Sequence, residues 1–236
     1  MKKILIYILF GGLISCTSEI DFGDLLSIRD SRDFITADNA DTVTFVLEFN
    51  EDAEVELINA KATVINGAFQ ENNEDELDIN PIKDINGKIG ATVVLQSTTV
   101  VSDVKVEFNI NEFITPFIIT AIPSEPASIS LQASAFNVDN NFDSEITLTG
   151  NLKNELGNKV SNGFSVRFED TFENGTLVGG SYRESSLVSS NGLISTIYSP
   201  GPVTANQYIN LEVIVLDENS NDTDITETIQ IFITTE

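Results

Sequence analysis

The sequence contains no histidine and only one cysteine, Cys16, and these absences exclude the commonest forms of side-chain catalysis. Without histidine there is no imidazole to serve as a general base, to activate a serine nucleophile or to bind zinc. With one cysteine the chain cannot form an internal disulfide, so packing alone must stabilise its domains. The stretch Gly179-Gly180-Ser181 lacks the spacing of a phosphate loop and the base of an activated serine. We therefore expect a protein that is not an enzyme.

Basic residues are also scarce, since 12 lysines and arginines stand against 37 aspartates and glutamates, for a net charge of −25. Binding to nucleic-acid phosphates or to anionic lipid headgroups needs basic patches, so neither is an expected partner. A pair of carboxylates could in principle catalyse glycoside hydrolysis. Nearly all the acids of this chain, however, occupy turns or outward positions, which indicates a solvated surface rather than a catalytic pair. The acidic balance favours solubility and is compatible with divalent-cation binding.

The amino terminus has the organisation of an export signal. Two lysines follow the initiating methionine, residues 4–13 form an apolar run broken only by two glycines, and Ser15 precedes Cys16. The run is too short to cross a bilayer, which takes about 20 residues. An ordinary secretory signal with a chance or structural cysteine is the alternative interpretation.

The tetrapeptide Leu-Ile-Ser-Cys at residues 13–16 resembles the lipobox of bacterial lipoproteins. The resemblance implies that a signal peptide of residues 1–15 is removed and that Cys16 carries the lipid. Residues 16–24 would then form a lipidated tether. Two or three acyl chains hold a protein stably on a membrane, whereas one chain binds reversibly.

The residues after the cysteine indicate which bacterial membrane would carry the anchored protein. Thr17 stands where enteric lipoproteins retained at the inner membrane have aspartate, so the resemblance implies transfer to the outer membrane. The acidic residues Glu19, Asp21 and Asp24 are similar to the export signals of surface lipoproteins. We expect a lipid-anchored outer-membrane protein, with the periplasmic and the surface orientation both open.

Alternation of apolar and polar residues recurs through the rest of the chain and predicts half-buried strands. The predicted inward positions are Val43, Phe45, Leu47, Phe49, Val104, Val106, Phe108, Ile110, Ile146, Leu148, Leu152, Phe164, Val166, Phe168, Ile209, Leu211, Val213, Val215, Ile229, Ile231 and Ile233. No segment after the signal sustains a helical period, and clusters of Asn, Asp, Gly and Ser separate the strands. This pattern predicts an all-β protein made of sandwiches or barrels.

The two halves of the chain resemble one another. DINGKIGATVVL at residues 84–95 parallels SSNGLISTIYSP at residues 189–200, which gives an internal period of roughly 105 residues. We expect two tandem copies of one sandwich, at residues 25–123 and 124–236. The join is predicted at IPSEPAS, residues 122–128, whose two prolines favour a short, stiff linker that keeps the domains end to end.

The second half carries a set of turn and core residues at characteristic spacing: Lys153, Gly157, Asn158, Val160, Val166, Phe168, Asn191 and Gly192. This set, over residues 127–234, resembles the bacterial immunoglobulin-like domains of invasin and intimin, although Asn154 and Ser195 replace the usual Asp and Ala. Residues 25–122 resemble a degenerate copy that lacks the Gly-Asn turn. The resemblance implies tandem immunoglobulin-like β-sandwiches that act as an adhesin-like or spacer module, and it identifies no ligand.

The best candidate for a metal site is DENSNDTD at residues 217–224. Asp217, Asn219 and Asn221 have the first, third and fifth positions of an EF-hand loop, but Asp222 replaces the glycine at position six and Thr228 the glutamate at position twelve. The EF-hand interpretation therefore fails. An irregular calcium site remains as an alternative to a polar hairpin turn. The same alternative applies to DNNFD, with Asp139 and Asp143, and no other cofactor is expected.

Sugar binding is the other function to weigh. Carbohydrate sites commonly present flat aromatic faces, and this chain has no tryptophan. The tyrosines after the signal are Tyr182, Tyr198 and Tyr208, and most phenylalanines fall on alternating core positions. We therefore expect a lipid-anchored, non-enzymatic envelope protein for adhesion, protein interaction or spacing, with its ligand unknown. The alternative is a glycan-binding surface lipoprotein.

Overall fold

The computed structural model describes residues 26–50, 53–141, 143–183, 187–201, 203–204 and 206–235. The predicted signal peptide, Cys16 and the tether of residues 16–24 lie outside the described residues. Among the residues described, no helix has the length and hydropathy to cross a bilayer.

The first half folds into two facing β-sheets. Its described elements are a 3₁₀ turn (Val55–Leu57) and the strands β1 (Leu26–Asp30), β2 (Phe34–Thr36), β3 (Thr42–Phe49), β4 (Ala60–Ile65), β5 (Ala68–Phe69), β6 (Glu76–Ile79), β7 (Ile82–Lys83), β8 (Ile89–Gln96), β9 (Val104–Ile110) and β10 (Phe113–Ile122). One sheet has the order β1-β3-β8-β5, with β7 also paired to β8, and the other has the order β2-β10-β9-β4-β6. The short β2 pairs with β10 in parallel.

The second half repeats this arrangement. Its strands are β11 (Ser128–Ala133), β12 (Asn137–Asp139), β13 (Ile146–Lys153), β14 (Ser165–Phe172), β15 (Ser181–Arg183), β16 (Leu187–Val188), β17 (Leu193–Ser199), β18 (Gln207–Leu216) and β19 (Asp222–Thr234). The sheets have the orders β11-β13-β17-β15 and β12-β19-β18-β14-β16, so each strand of this half has a counterpart in the first. The predicted all-β class with two tandem sandwiches is confirmed.

Each sandwich has its own apolar core, as the alternation predicts. The predicted inward residues are buried, except Phe164 and Ile229, which are half-buried and pack against the second core. In the first core the rings of Phe45 and Phe108 meet edge to face with centroids 5.1 Å apart, and Phe117 lies 5.4 Å from Phe45. Edge-to-face aromatic contacts add to the stabilisation that burial provides.

Residues 123–127 connect β10 to β11, and hydrogen bonds join the two sandwiches there. The buried Ser161 hydroxyl donates to the Ala37 carbonyl at 2.9 Å and accepts from the Ser124 N–H at 2.8 Å. The Asn162 N–H donates to the Thr99 carbonyl at 2.8 Å. We call these contacts the interdomain joint. Since their geometry is directional, they fix one relative orientation of the sandwiches.

A buried carboxylate completes the joint. Asp38, on the first sandwich, accepts a hydrogen bond at 3.0 Å from the side-chain amide of Asn158, on the second. Its other oxygen accepts from the N–H groups of Ala40 and Asp41 and from the Ser97 hydroxyl. The buried carboxylate is therefore well supplied with donors, as a buried charge requires.

Candidate functional site

Among the described strands, β10 has a partner along most of one side but along only a short part of the other. It pairs with β9 from Phe113 to Ile119, whereas β2 covers its other side only from Thr120 to Ile122. No other described strand pairs with β10. Among the described residues, the side of β10 facing away from β9 is therefore a free sheet edge from Ile114 to Ile118, the kind of surface on which another extended chain can add.

The backbone groups at this free edge can be assigned from the pairing. The Thr120 N–H donates to the Asp33 carbonyl at 3.0 Å, so the polar groups of Thr120 point away from β9. Because these groups alternate along a strand, those of Ile118, Pro116 and Ile114 point the same way. Pro116, which has no N–H, lies at one of the edge-facing positions, where proline is tolerated.

The side chains beside this edge are apolar and exposed. Ile114 and Ile118 are each 61% exposed, Ile122 is 39% exposed and Phe34 is 42% exposed. Together with Pro116 these residues form the surface that we call the apolar edge. Exposed apolar side chains on a free strand are uncommon in soluble proteins, because such a strand promotes association.

The second sandwich lacks this surface. From the pairing of β10 with β2 and of β19 with β12, the counterparts of Ile114, Pro116 and Ile118 are Thr226, Thr228 and Gln230. These residues are polar, and β11 packs against β19, whereas β1 makes no comparable contact with β10. The apolar edge is therefore a property of the first sandwich and not of the shared fold.

Acidic side chains surround the apolar edge. Exposed Glu107 lies opposite Pro116 on β9, and exposed Lys105 lies opposite Ile118. Glu112, in the turn before β10, and Asp33, before β2, are also exposed. A second base, Arg32, lies 5.1 Å from the Phe34 ring but is already paired with Asp41. The three acids therefore outweigh Lys105, the remaining base, and this balance favours a basic partner.

A concavity of the described residues lies elsewhere, beside β7 and β8 of the other sheet. It measures about 1020 Å³ and opens to solvent, and its lining includes Ile82, Lys83, Lys88 and Glu48. Side chains of both signs line it, as on an ordinary solvated surface. We therefore place the candidate interaction site at the apolar edge.

The predicted calcium residues form a hairpin turn between β18 and β19. One Asp217 carboxylate oxygen accepts the N–H groups of Asn219 and Asn221, each at 2.8 Å, and the other accepts from the Asn221 amide at 3.0 Å. The Asn221 side chain and these backbone donors lower the pKa of Asp217. The carboxylate therefore already serves the turn.

In the second predicted cluster, the Asp139 carboxylate also has a partner within the protein. Asp139 accepts a hydrogen bond from the Thr234 hydroxyl at 2.7 Å, while the Asp143 N–H donates to the Asn141 side chain. Over the described ranges, no three metal-ligating acids, histidines or cysteines converge. The calcium hypothesis stays a prediction for both segments.

The positions of the tyrosines do not favour the glycan-binding alternative, which requires exposed aromatic faces. Tyr198 is completely buried, and Tyr182 packs between the rings of Tyr198 and Phe168, at centroid distances of 4.9 and 5.6 Å. Tyr208 is 50% exposed and packs against Phe232. The first two rings therefore belong to the core and offer no open face to a sugar.

The structure reveals a buried polar cluster that the sequence pattern does not predict. The Tyr198 hydroxyl donates to Asp170 at 2.8 Å, and the Gly180 N–H donates to the same carboxylate oxygen at 2.7 Å. A Cβ at Gly180 would lie only 2.6 Å from the Tyr198 ring, so only glycine can occupy this position. Burial, and then the Asp170 charge, raise the pKa values of Tyr182 and Tyr198. The two adjacent glycines were the signal in the sequence.

With this geometry, the fold class is that of tandem immunoglobulin-like β-sandwiches. Invasin, described as a bacterial integrin-binding protein, matches with a TM-score of 0.56 at 16% identity, over 89% of this chain and 39% of invasin. The adhesin InvE of Yersinia pseudotuberculosis matches with a TM-score of 0.47 at 15% identity, over 91% of this chain and 61% of InvE. The chain thus spans less than two thirds of either structure. The likeness to invasin concerns the fold, and it confirms the predicted immunoglobulin-like type.

No protein-family model matches the chain, and no curated protein matches it.

Proposed function

We propose that this chain is a lipid-anchored, non-enzymatic envelope protein whose immunoglobulin-like sandwiches act as a protein-interaction or adhesion module. The observation that carries the proposal is the apolar edge of β10, which the otherwise equivalent β19 lacks. Exposed apolar surface of this kind marks sites of association.

The position of the apolar edge relative to the lipid anchor limits the kinds of partner that can reach it. If Cys16 carries the lipid, the tether to β1 reaches at most about 35 Å. The first sandwich then lies close to the outer membrane, and the interdomain joint holds the second sandwich beyond it. This arrangement favours a neighbouring envelope protein as the partner of the apolar edge, with the second sandwich as a spacer or further contact.

Metabolic labelling tests the anchor. The wild-type chain should incorporate labelled palmitate and partition with detergent, and the Cys16→Ala variant should do neither. Incorporation of palmitate into the variant would show that the lipid is attached elsewhere or that the label is nonspecific.

Protease treatment of intact cells tests the sidedness. For a surface protein, added protease should remove residues 124–236, and replacing Glu19 and Asp21 with alanine should protect them. Resistance of the wild-type protein until the outer membrane is permeabilised would place both sandwiches in the periplasm.

Photo-crosslinking in living cells tests the interaction site. A photoreactive residue in place of Ile118 should give a discrete adduct, and the same residue in place of Gln230, its counterpart in the second sandwich, should not. Introducing Ile114→Asp should abolish the adduct. Equal adducts at both positions would remove the apolar edge as the contact surface.

A further inference from the structure

We propose that the apolar edge binds its partner by strand addition, with an extended protein segment that has alternating apolar residues and flanking lysine or arginine. This inference rests on the proposed interaction function and names the chemistry of the partner. It depends on three features of β10: its free backbone groups, the spacing of its exposed side chains and the charge around it.

The free backbone groups provide the hydrogen bonds. Ile114 and Ile118 each direct an N–H and a carbonyl to the open side of β10, and Pro116 directs a carbonyl. An added strand would bond to these groups as β2 bonds to Thr120 and Ile122 farther along the same edge. β2 begins, at Phe34, where this free stretch ends, so the partner would extend an edge that the chain already uses for pairing.

The exposed side chains set the sequence of the partner. Ile114 and Ile118 lie on the same face of the sheet, roughly 13 Å apart along the strand. Side chains of an added strand would alternate between this face and the opposite one. Apolar residues at every second position would therefore cover Ile114, Pro116 and Ile118, and would remove them from water.

The acidic charge around the edge favours a basic segment over a second copy of this chain as the occupant. Glu107, Glu112 and Asp33 surround the edge. They stand against Lys105 and against Arg32, which is already paired with Asp41. The balance is acidic, so basic residues at the ends of the added segment would be attracted. A second copy of this chain would bring the same acids and a further net charge of −25, and electrostatic repulsion opposes that pairing.

Hydrogen exchange of the full chain in detergent tests the inference. The probe is a synthetic nine-residue peptide with valine at alternating positions, threonine between the valines and lysine at both ends. It should slow exchange of the Ile114 and Ile118 amides and leave those of Thr226 and Gln230 unchanged. A peptide with the same residues but consecutive valines, and one with glutamate at both ends, should bind at least tenfold more weakly.

One exposed substitution checks the side-chain contribution. Ile118→Thr keeps the backbone donor and the β-branched shape but removes apolar surface, so peptide affinity should fall about tenfold. The matched control, Gln230→Thr in the second sandwich, should leave the affinity unchanged. Equal affinity of wild type and Ile118→Thr would overturn the proposed site.

The same hydrogen-exchange experiment distinguishes the alternative occupants of the edge, namely a segment of this chain and a second copy of it. If both amides are slow to exchange in the free chain at every dilution, a segment of the chain itself covers the edge. If their protection disappears on dilution, a second copy covers it, and either result overturns the inference. If the peptides fail to protect the amides while the crosslink at Ile118 persists and is lost with Ile114→Asp, strand addition is wrong and the interaction function stands.

Discussion

Replacing Ser161 with alanine should release the two sandwiches from their fixed orientation. Its hydroxyl is the central contact of the interdomain joint, because it donates to the Ala37 carbonyl of the first sandwich and accepts from the Ser124 N–H of the connecting segment. Ser161, Ala37 and Ser124 are each at most 3% exposed, so water cannot replace the missing hydroxyl without opening the joint.

The loss of stability can be worked out from the groups that lose a hydrogen-bond partner. Ser161→Ala leaves the Ser124 N–H and the Ala37 carbonyl buried without that partner. Each buried unsatisfied group costs about 1–3 kcal/mol. The folded arrangement should therefore lose about 2 kcal/mol or more, unless the joint opens and water reaches both groups. Opening relieves this cost but also separates Asn162 from Thr99, so the interdomain angle should broaden.

Urea denaturation and small-angle X-ray scattering together measure both effects. The variant should unfold at lower urea concentration, and its scattering should show a wider range of maximum dimensions than wild type. The matched control is Ser189→Ala, since the buried Ser189 hydroxyl also makes two bonds, with Phe164 and Ser161, inside the second sandwich. It should lower stability without changing the scattering. Identical scattering and stability of Ser161→Ala and wild type would refute the role of the joint.

Three further predictions concern the second half of the chain. Residues 124–236 alone should fold, because the second core, as far as the chain is described, draws on no residue before Ile129. A disordered chain would show that the halves depend on each other. Calcium should leave the melting temperature unchanged if Asp217 serves only its turn, and an increase that Asp217→Ala abolishes would establish a metal site. Tyr198→Phe should lower the free energy of unfolding by about 1.5–3 kcal/mol, since it removes a hydrogen bond to the buried carboxyl of Asp170. No change in its urea midpoint would show that the bond adds no net stability.

The strands and the core were predictable from the sequence because a strand buries every second residue. In β3 the segment TVTFVLEF buries Val43, Phe45, Leu47 and Phe49, as its alternation requires. The turns were predictable for a similar local reason, since Asp217 bonds to backbone groups only two and four residues away. The repeat was also predictable, because two similar local segments recur in the two halves of the chain. The strands that they form, β8 and β17, occupy equivalent positions in their sheets.

The interdomain joint was not predictable, and of the buried cluster around Asp170 the sequence shows only the adjacent glycines, without the partners they pack against. Asn158 and Asp38 are distant in sequence, and neither has a local pattern that indicates its partner. Asp170 occupies an inward position on β14, where alternation predicts an apolar residue. Only the fold shows that Tyr198 and Gly180 supply its hydrogen bonds.

The sequence by itself determined the all-β class, the tandem organisation, the core positions and the expectation of a lipid anchor at Cys16, because each depends on neighbouring residues. The tertiary structure decided which strand is free. FITPFIITAI reads from sequence as one more apolar strand, and only the order of the sheet shows that β2 covers its end and leaves Ile114 and Ile118 exposed. Strand pairing is a long-range property set by packing of the whole sandwich, so the candidate site appears only once the chain is folded.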